Sequence, residues 1–139
     1  MKHLAIGIVL LAMTAVSSAD TATHVKGDKA TALARAIKFA GVKAKTTKDA
    51  RSFTVASVHC NSTREGTDEQ LGDYVCTLDK RDVKDAMAFM LQSAMEGAGI
   101  ASQDGMSQHR TNANALTCTI DPSKSGDDRV DCSWTNGPT

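Results

Sequence analysis

The sequence predicts an α+β fold: a tandem helix-strand-strand repeat, with a four-stranded antiparallel sheet, two helices on one of its faces, and one disulfide per repeat. Three observations carry that expectation. Residues 58–78 and 116–134 each place two cysteines on a strand–turn–strand pattern. Residues 28–40 and 83–97 carry apolar side chains at helical spacing. Both features superpose on themselves at a shift of 58 residues.

The second hairpin is the clearer. Leu116, Cys118 and Ile120 share a face, opposed by Thr117 and Thr119; on the return, Val130, Cys132 and Trp134 share a face, opposed by Asp131 and Ser133. Alternation with period two marks a strand buried on one side. Asp121, Pro122, Ser123 and Gly126 supply turn formers between the strands. Four cysteines allow three pairings. The repeat selects Cys60 with Cys76 and Cys118 with Cys132.

Taken in order, residues 1–19 read as a signal peptide: Lys2, an apolar run over 4–16, then Ser17, Ser18 and Ala19 before the cut. The run is too short to span a bilayer, so no stable membrane span is expected after cleavage. Residues 20–27 read as a flexible N-terminal arm. The first repeat covers 28–80. Asp28 is expected to cap a helix that Gly41 ends. Ala30, Leu33, Ile37 and Ala40 form its stripe, widened by Ala36 and Phe39. Residues 44–51 read as a loop. Phe53 and Val55 share a strand face with Val58 only through a bulge, or both faces are covered. Residues 61–71 form a long acidic loop before the return strand.

The second repeat covers 81–135. Asp82 is expected to cap a helix over 83–97, with Val83, Ala86, Met87, Met90, Ala94 and Met95 inward and Phe89 and Leu91 widening that side. Residues 101–113 read as a polar connector before the second hairpin, and 136–139 as a tail. The shift of 58 lays Leu33 on Leu91, Ala36 on Ala94, Val58 on Leu116 and Cys60 on Cys118. One helix on a two-stranded ribbon is marginal alone, so the two copies are expected to pool their strands in one compact domain. In topology this resembles the tandem repeats of exported inhibitor proteins such as the β-lactamase inhibitory protein family, with a disulfide in each copy. The resemblance implies binding to another protein.

Four cysteines behind an export leader point to an oxidising compartment, the periplasm or the exterior. The formal net charge is zero, which directs the chain to no particular partner, but the charge is segregated. Eight basic residues in 26–51 face only Asp28 and Asp49, whereas Glu65, Asp68, Glu69, Asp73 and Asp79 in 61–79 face only Arg64. The basic block lacks interleaved aromatics and export removes the usual target, so no nucleic acid is expected. The expected partner is another exported or envelope protein of complementary charge. The expected role is that of an inhibitor or immunity-type binding protein. The residues expected to carry it are Lys43, Lys45, Lys48, Glu65, Asp68, Glu69, Tyr74 and Trp134.

Catalysis finds less support. His59 adjoins Cys60, but strand neighbours face opposite sides and a disulfide removes the thiol. There is no Gly-x-Ser-x-Gly turn, so no enzyme is expected, and a small hydrolase around His59 or His109 with a carboxylate is the last alternative. No Cys-x-x-Cys or His-Glu-x-x-His marks zinc, and no cofactor signature is present. Met106 and His109 offer Cu(I) ligands, which makes periplasmic copper binding the other alternative. Met at helical spacing, as in Met87, Met90 and Met95, ordinarily fills a core. Asn61-Ser62-Thr63 is a glycosylation sequon.

Overall fold

The computed structural model describes residues 22–64, 71–105 and 107–136 of the 139-residue chain. The predicted leader, the residues Glu65, Asp68, Glu69 and Met106, and most of the predicted tail lie outside the described residues. The fold is α+β, with two helices, two disulfides and one antiparallel sheet, but the sheet has eight strands instead of four.

In chain order the elements are β1 (Ala22–Lys26), α1 (Asp28–Phe39), β2 (Lys45–Thr46), β3 (Arg51–Arg64), β4 (Leu71–Leu78), β5 (Arg81–Lys84), α2 (Asp85–Gly97), β6 (Ser102–Asp104), β7 (Gln108–Ile120) and β8 (Val130–Asn136). The sheet runs β1-β8-β7-β3-β4-β5, with β2 added to β3 and β6 to β7. Its centre is the β3–β7 pair, in register from Arg51↔Ile120 to Thr63↔Gln108. Along β3, Phe53, Val55, Val58 and Cys60 are all buried while Ala56 is exposed. The partner strand makes the same jog: Leu116 and Ala113 are buried, and exposed Ala115 takes φ 48°. The two strands therefore shift faces together without losing register, and the irregular alternation of β3 reflects this jog and not a sheet covered on both sides.

Four expectations are corrected. Within the predicted arm of residues 20–27, the described part is not loose, because Ala22–Lys26 pairs along β8 from Ala22↔Thr135 to Lys26↔Asp131. Asp82 caps nothing: it lies in β5, which pairs with β4 and buries Val83 opposite Cys76. The helix starts only at Asp85, after Lys84. The predicted polar connector over 101–113 is largely strand, its polar residues alternating with buried Thr111 and Ala113. Asp28 is the first residue of α1 and not its cap, which is Gly27 at φ 82°; the Asp28 carboxylate accepts from the Lys29 N–H at 2.9 Å.

Helix α1 buries Ala30, Leu33, Ala34, Ala36 and Ile37 and leaves Phe39 exposed. Helix α2 buries Ala88, Leu91, Gln92 and Met95, a face rotated from the expected stripe. The left-handed glycines Gly41 (φ 89°) and Gly99 (φ 101°) follow the two helices and stop them. Arg81 donates to the Ala40 carbonyl at the end of α1, which fastens that terminus to β5.

Cys60–Cys76 and Cys118–Cys132 are both bonded, each with Cα atoms 4.0 Å apart. The helices cover them crosswise. Cys132 Sγ lies 3.4 Å from the Ala30 carbonyl oxygen, under α1. Cys76 Sγ lies 3.5 Å from the Ala88 carbonyl oxygen, under α2. Small alanines at these two points let each helix approach its sulfurs closely. The helix of residues 28–80 thus rests on the disulfide of residues 81–135, and the reverse.

Candidate functional site

Those of the residues expected to meet a partner that are described do not form one surface. Lys43, Lys45 and Lys48 are exposed in the connector between α1 and β3. Lys45 pairs with Ser52, whereas Val75, next to Tyr74, pairs with Asn61. The intervening stretch of β3 puts these groups on the order of 30 Å apart at strand rise. Trp134 is corrected outright: at 1% exposure it is the largest side chain in the core. Its face is shared with Cys132, and that face is covered by α1. The sequon is closed as well, since Asn61 lies within β3 and Ser62 is fully buried.

Sequence reasoning missed the outer face of α2. Met87, Phe89 and Met90 are 41%, 49% and 43% exposed. The Phe89 ring meets Tyr74 edge-on at 5.0 Å between centroids. The available signal was the composition of the helix, which is apolar on more sides than one buried stripe needs.

His109 is the hub of a polar network beneath α2. Its Nδ1 meets Asp104 and its Nε2 meets Glu96. Thr111 donates to the same Glu96 oxygen at 3.0 Å, and buried Gln92 reaches Thr111 Oγ1 and the His109 carbonyl, each at 3.3 Å. Burial disfavours the imidazolium, but the hydrogen bonds and negative charges of Asp104 and Glu96 outweigh it and raise the pKa above 6.5. Both ring nitrogens are engaged on opposite sides, so the two carboxylates do not converge on one ion with this imidazole. Among the described residues no three His, Cys, Asp or Glu gather as a metal site.

A raised folded-state pKa stabilises fully below the unfolded value of 6.5 and is lost as pH rises through the folded value. His109→Gln is therefore expected to cost about 1–3 kcal/mol near pH 5.5 and clearly less near pH 9. Urea unfolding of both proteins at the two pH values checks this; an equal cost at both would refute the charged clasp.

His59 stands on the open sheet face, away from Cys60. Its Nδ1 lies 3.0 Å from Asn112 Oδ1 and its Nε2 2.8 Å from Ser57 Oγ. An imidazole donating to Asn112 accepts from the Ser57 hydroxyl, which is the order of a nucleophile, base and orienting group. The group is exposed, and the Ser57 N–H is given to Asp79 Oδ1 at 3.0 Å, so this nearby backbone donor is not free for an oxyanion. Of the two histidines offered for a hydrolase, His59 has an amide where a carboxylate was expected, whereas His109 has Asp104 and Glu96 within reach.

No family model, no curated protein and no solved structure matches this chain. The topological resemblance to β-lactamase inhibitory proteins thus gains no structural counterpart.

Proposed function

We propose that this chain is an exported binding protein that acts by contact with another exported or envelope protein, as an inhibitor or immunity-type protein does, and not by catalysis. One observation carries the reading: a single turn of α2 exposes three large apolar side chains, Met87, Met90 and, on the side towards Tyr74, Phe89. Large apolar groups clustered on a surface mark contact sites. Methionine adapts its shape to a partner, and Met and aromatics are enriched at interface centres. The neighbouring helix α1 exposes Lys29, Arg35 and Lys38, which favours a partner with an acidic rim.

Export is supported by the leader pattern over 1–19 and by two disulfides. Among the described residues no helix is long and apolar enough to cross a membrane. The same proposal takes residues 28–80 and 81–135 as a duplicated unit. Its support is the matched order β1-α1-β2-β3-β4 and β5-α2-β6-β7-β8, once the first copy is extended back to Ala22, and the paired contacts of Ala30 with Cys132 and Ala88 with Cys76.

Tagged protein used as bait on the native envelope and secreted fractions tests the reading. The wild type should retain one protein stoichiometrically, and a Met87→Glu, Met90→Glu variant with unchanged thermal stability should lose it. No stoichiometric protein, or equal capture by the variant, defeats the proposal. A self-dimer in ultracentrifugation that the variant abolishes would replace it with a homodimer.

A further inference from the structure

A cleft of about 210 Å³ opens between α1 and the end of the sheet, away from the α2 patch. Its floor is apolar: Phe53 is 2% exposed and Ile120 is half-buried. Its rim is basic, formed by Arg35 and Lys38 on α1, Arg51 at the start of β3 and Arg129 just before β8. The topology forces this gathering. Arg51 pairs with Ile120, Ile120 pairs with Val130, and α1 lies above that row, so three separate elements deliver cations to one opening.

No carboxylate lines the cleft. None of the four cations makes an ion pair among the described residues. Asp127 accepts from the hydroxyl of Thr31, a lining residue, at 2.9 Å. Arg51 lies 6.0 Å from the centre of the Phe53 ring, a cation–π approach that keeps it at the mouth. Lys38 also complements the C-terminal dipole of α1. Arg35 has no such internal role, and like charges held together repel.

The positions 58 residues further on make the contrast. Ala34, Lys38, Arg51 and Phe53 correspond to Gln92, Glu96, His109 and Thr111. There the space is closed by the network around His109, cation and carboxylates together. On the α1 side the same space is open, apolar below and uncompensated above.

We infer that this cleft binds a small organic anion: one carboxylate, sulfonate or phosphate group on an apolar body of about one ring. The guanidinium forks suit such oxygens, and charge-assisted bonds to them are the strong kind. A cavity of about 150 Å³ already holds benzene, so the floor admits a ring. This inference shares Arg35 and Lys38 with the protein-binding proposal, but the apolar residues that carry that proposal lie on α2.

Titration with 1-naphthoate and benzoate, followed by amide shifts in two-dimensional NMR, tests it. Saturable shifts should centre on Arg35, Arg51, Phe53 and Ile120 and weaken with salt. Removing the ligand's charge, as in 1-naphthamide, should weaken binding by about tenfold or more, the scale of one lost charge-assisted bond. Arg35→Gln with Arg51→Gln, both exposed positions, should do the same for the acid. Equal binding of acid and amide, shifts centred elsewhere, or no saturable shift with either acid would overturn the inference, and the first and last of these need no variant.

Discussion

Replacing Cys118 and Cys132 together with alanine is expected to lower the stability of the chain by about 2–5 kcal/mol. The bond closes a span of 14 residues. Restoring the freedom of a loop that short accounts for about 3 kcal/mol in the chain-entropy account. Packing adds to this. Both cysteines are fully buried, and Cys132 touches the backbone of α1 at Ala30. Alanine leaves the sulfur volume empty beneath that helix, and a core does not close such a gap completely. Because the helices cover the disulfides crosswise, the damage has an address. Hydrogen exchange should accelerate in α1 more than in α2, although Cys118 and Cys132 lie far along the chain from α1. Replacing Cys60 and Cys76 should reverse the pattern, loosening α2. Urea unfolding with exchange measured on both variants decides the matter. A cost near zero, or loosening confined to the hairpin, would mean that the helices do not depend on the sulfurs beneath them.

What the sequence revealed follows from which elements have one buried face. The hairpin around Cys118 and Cys132 was legible because burial on one side imposes strict alternation, and Leu116, Cys118, Val130 and Cys132 obey it. Helix α1 was legible for the same reason at helical period, as Ala30, Leu33 and Ile37 attest. The edge strands were not. β1 reads ATHVK and β5 reads RDVK, each too short and polar to set a period. Short, charged strands are what sheet edges tolerate. The face of α2 was misread because periodicity counts apolar residues without knowing their neighbours. Gln92 is inside since Thr111 and the His109 carbonyl receive it, while Met87 and Met90 are exposed. The basic cleft was hidden for a further reason. Arg35, Lys38 and Arg51 were visible as a run of charge, but Phe53, Ile120 and Arg129 join them only through the β3–β7–β8 pairing.

Trp134 tests the core at its largest member. The alternation already placed it with Cys132, yet its aromatic character had suggested a partner contact; the structure leaves it 1% exposed. Trp134→Ala should therefore cost about 3–5 kcal/mol, as for other buried aromatics cut to alanine. Phenylalanine should behave differently. Among the described residues the buried indole N–H has no acceptor, a liability in itself of about 1–3 kcal/mol. Trp134→Phe removes that orphan donor while keeping most of the apolar bulk, so the two effects oppose and its cost should fall to about 1–2 kcal/mol. As this is the only tryptophan in the chain, its emission reports on the same point without mutation. The folded protein should emit at short wavelength and resist quenching by iodide, and unfolding should end both properties. Ready quenching in the folded state, or a phenylalanine variant as unstable as the alanine one, would place the indole at the surface or give its N–H a partner. The first result would also return Trp134 to the set of residues able to meet another protein.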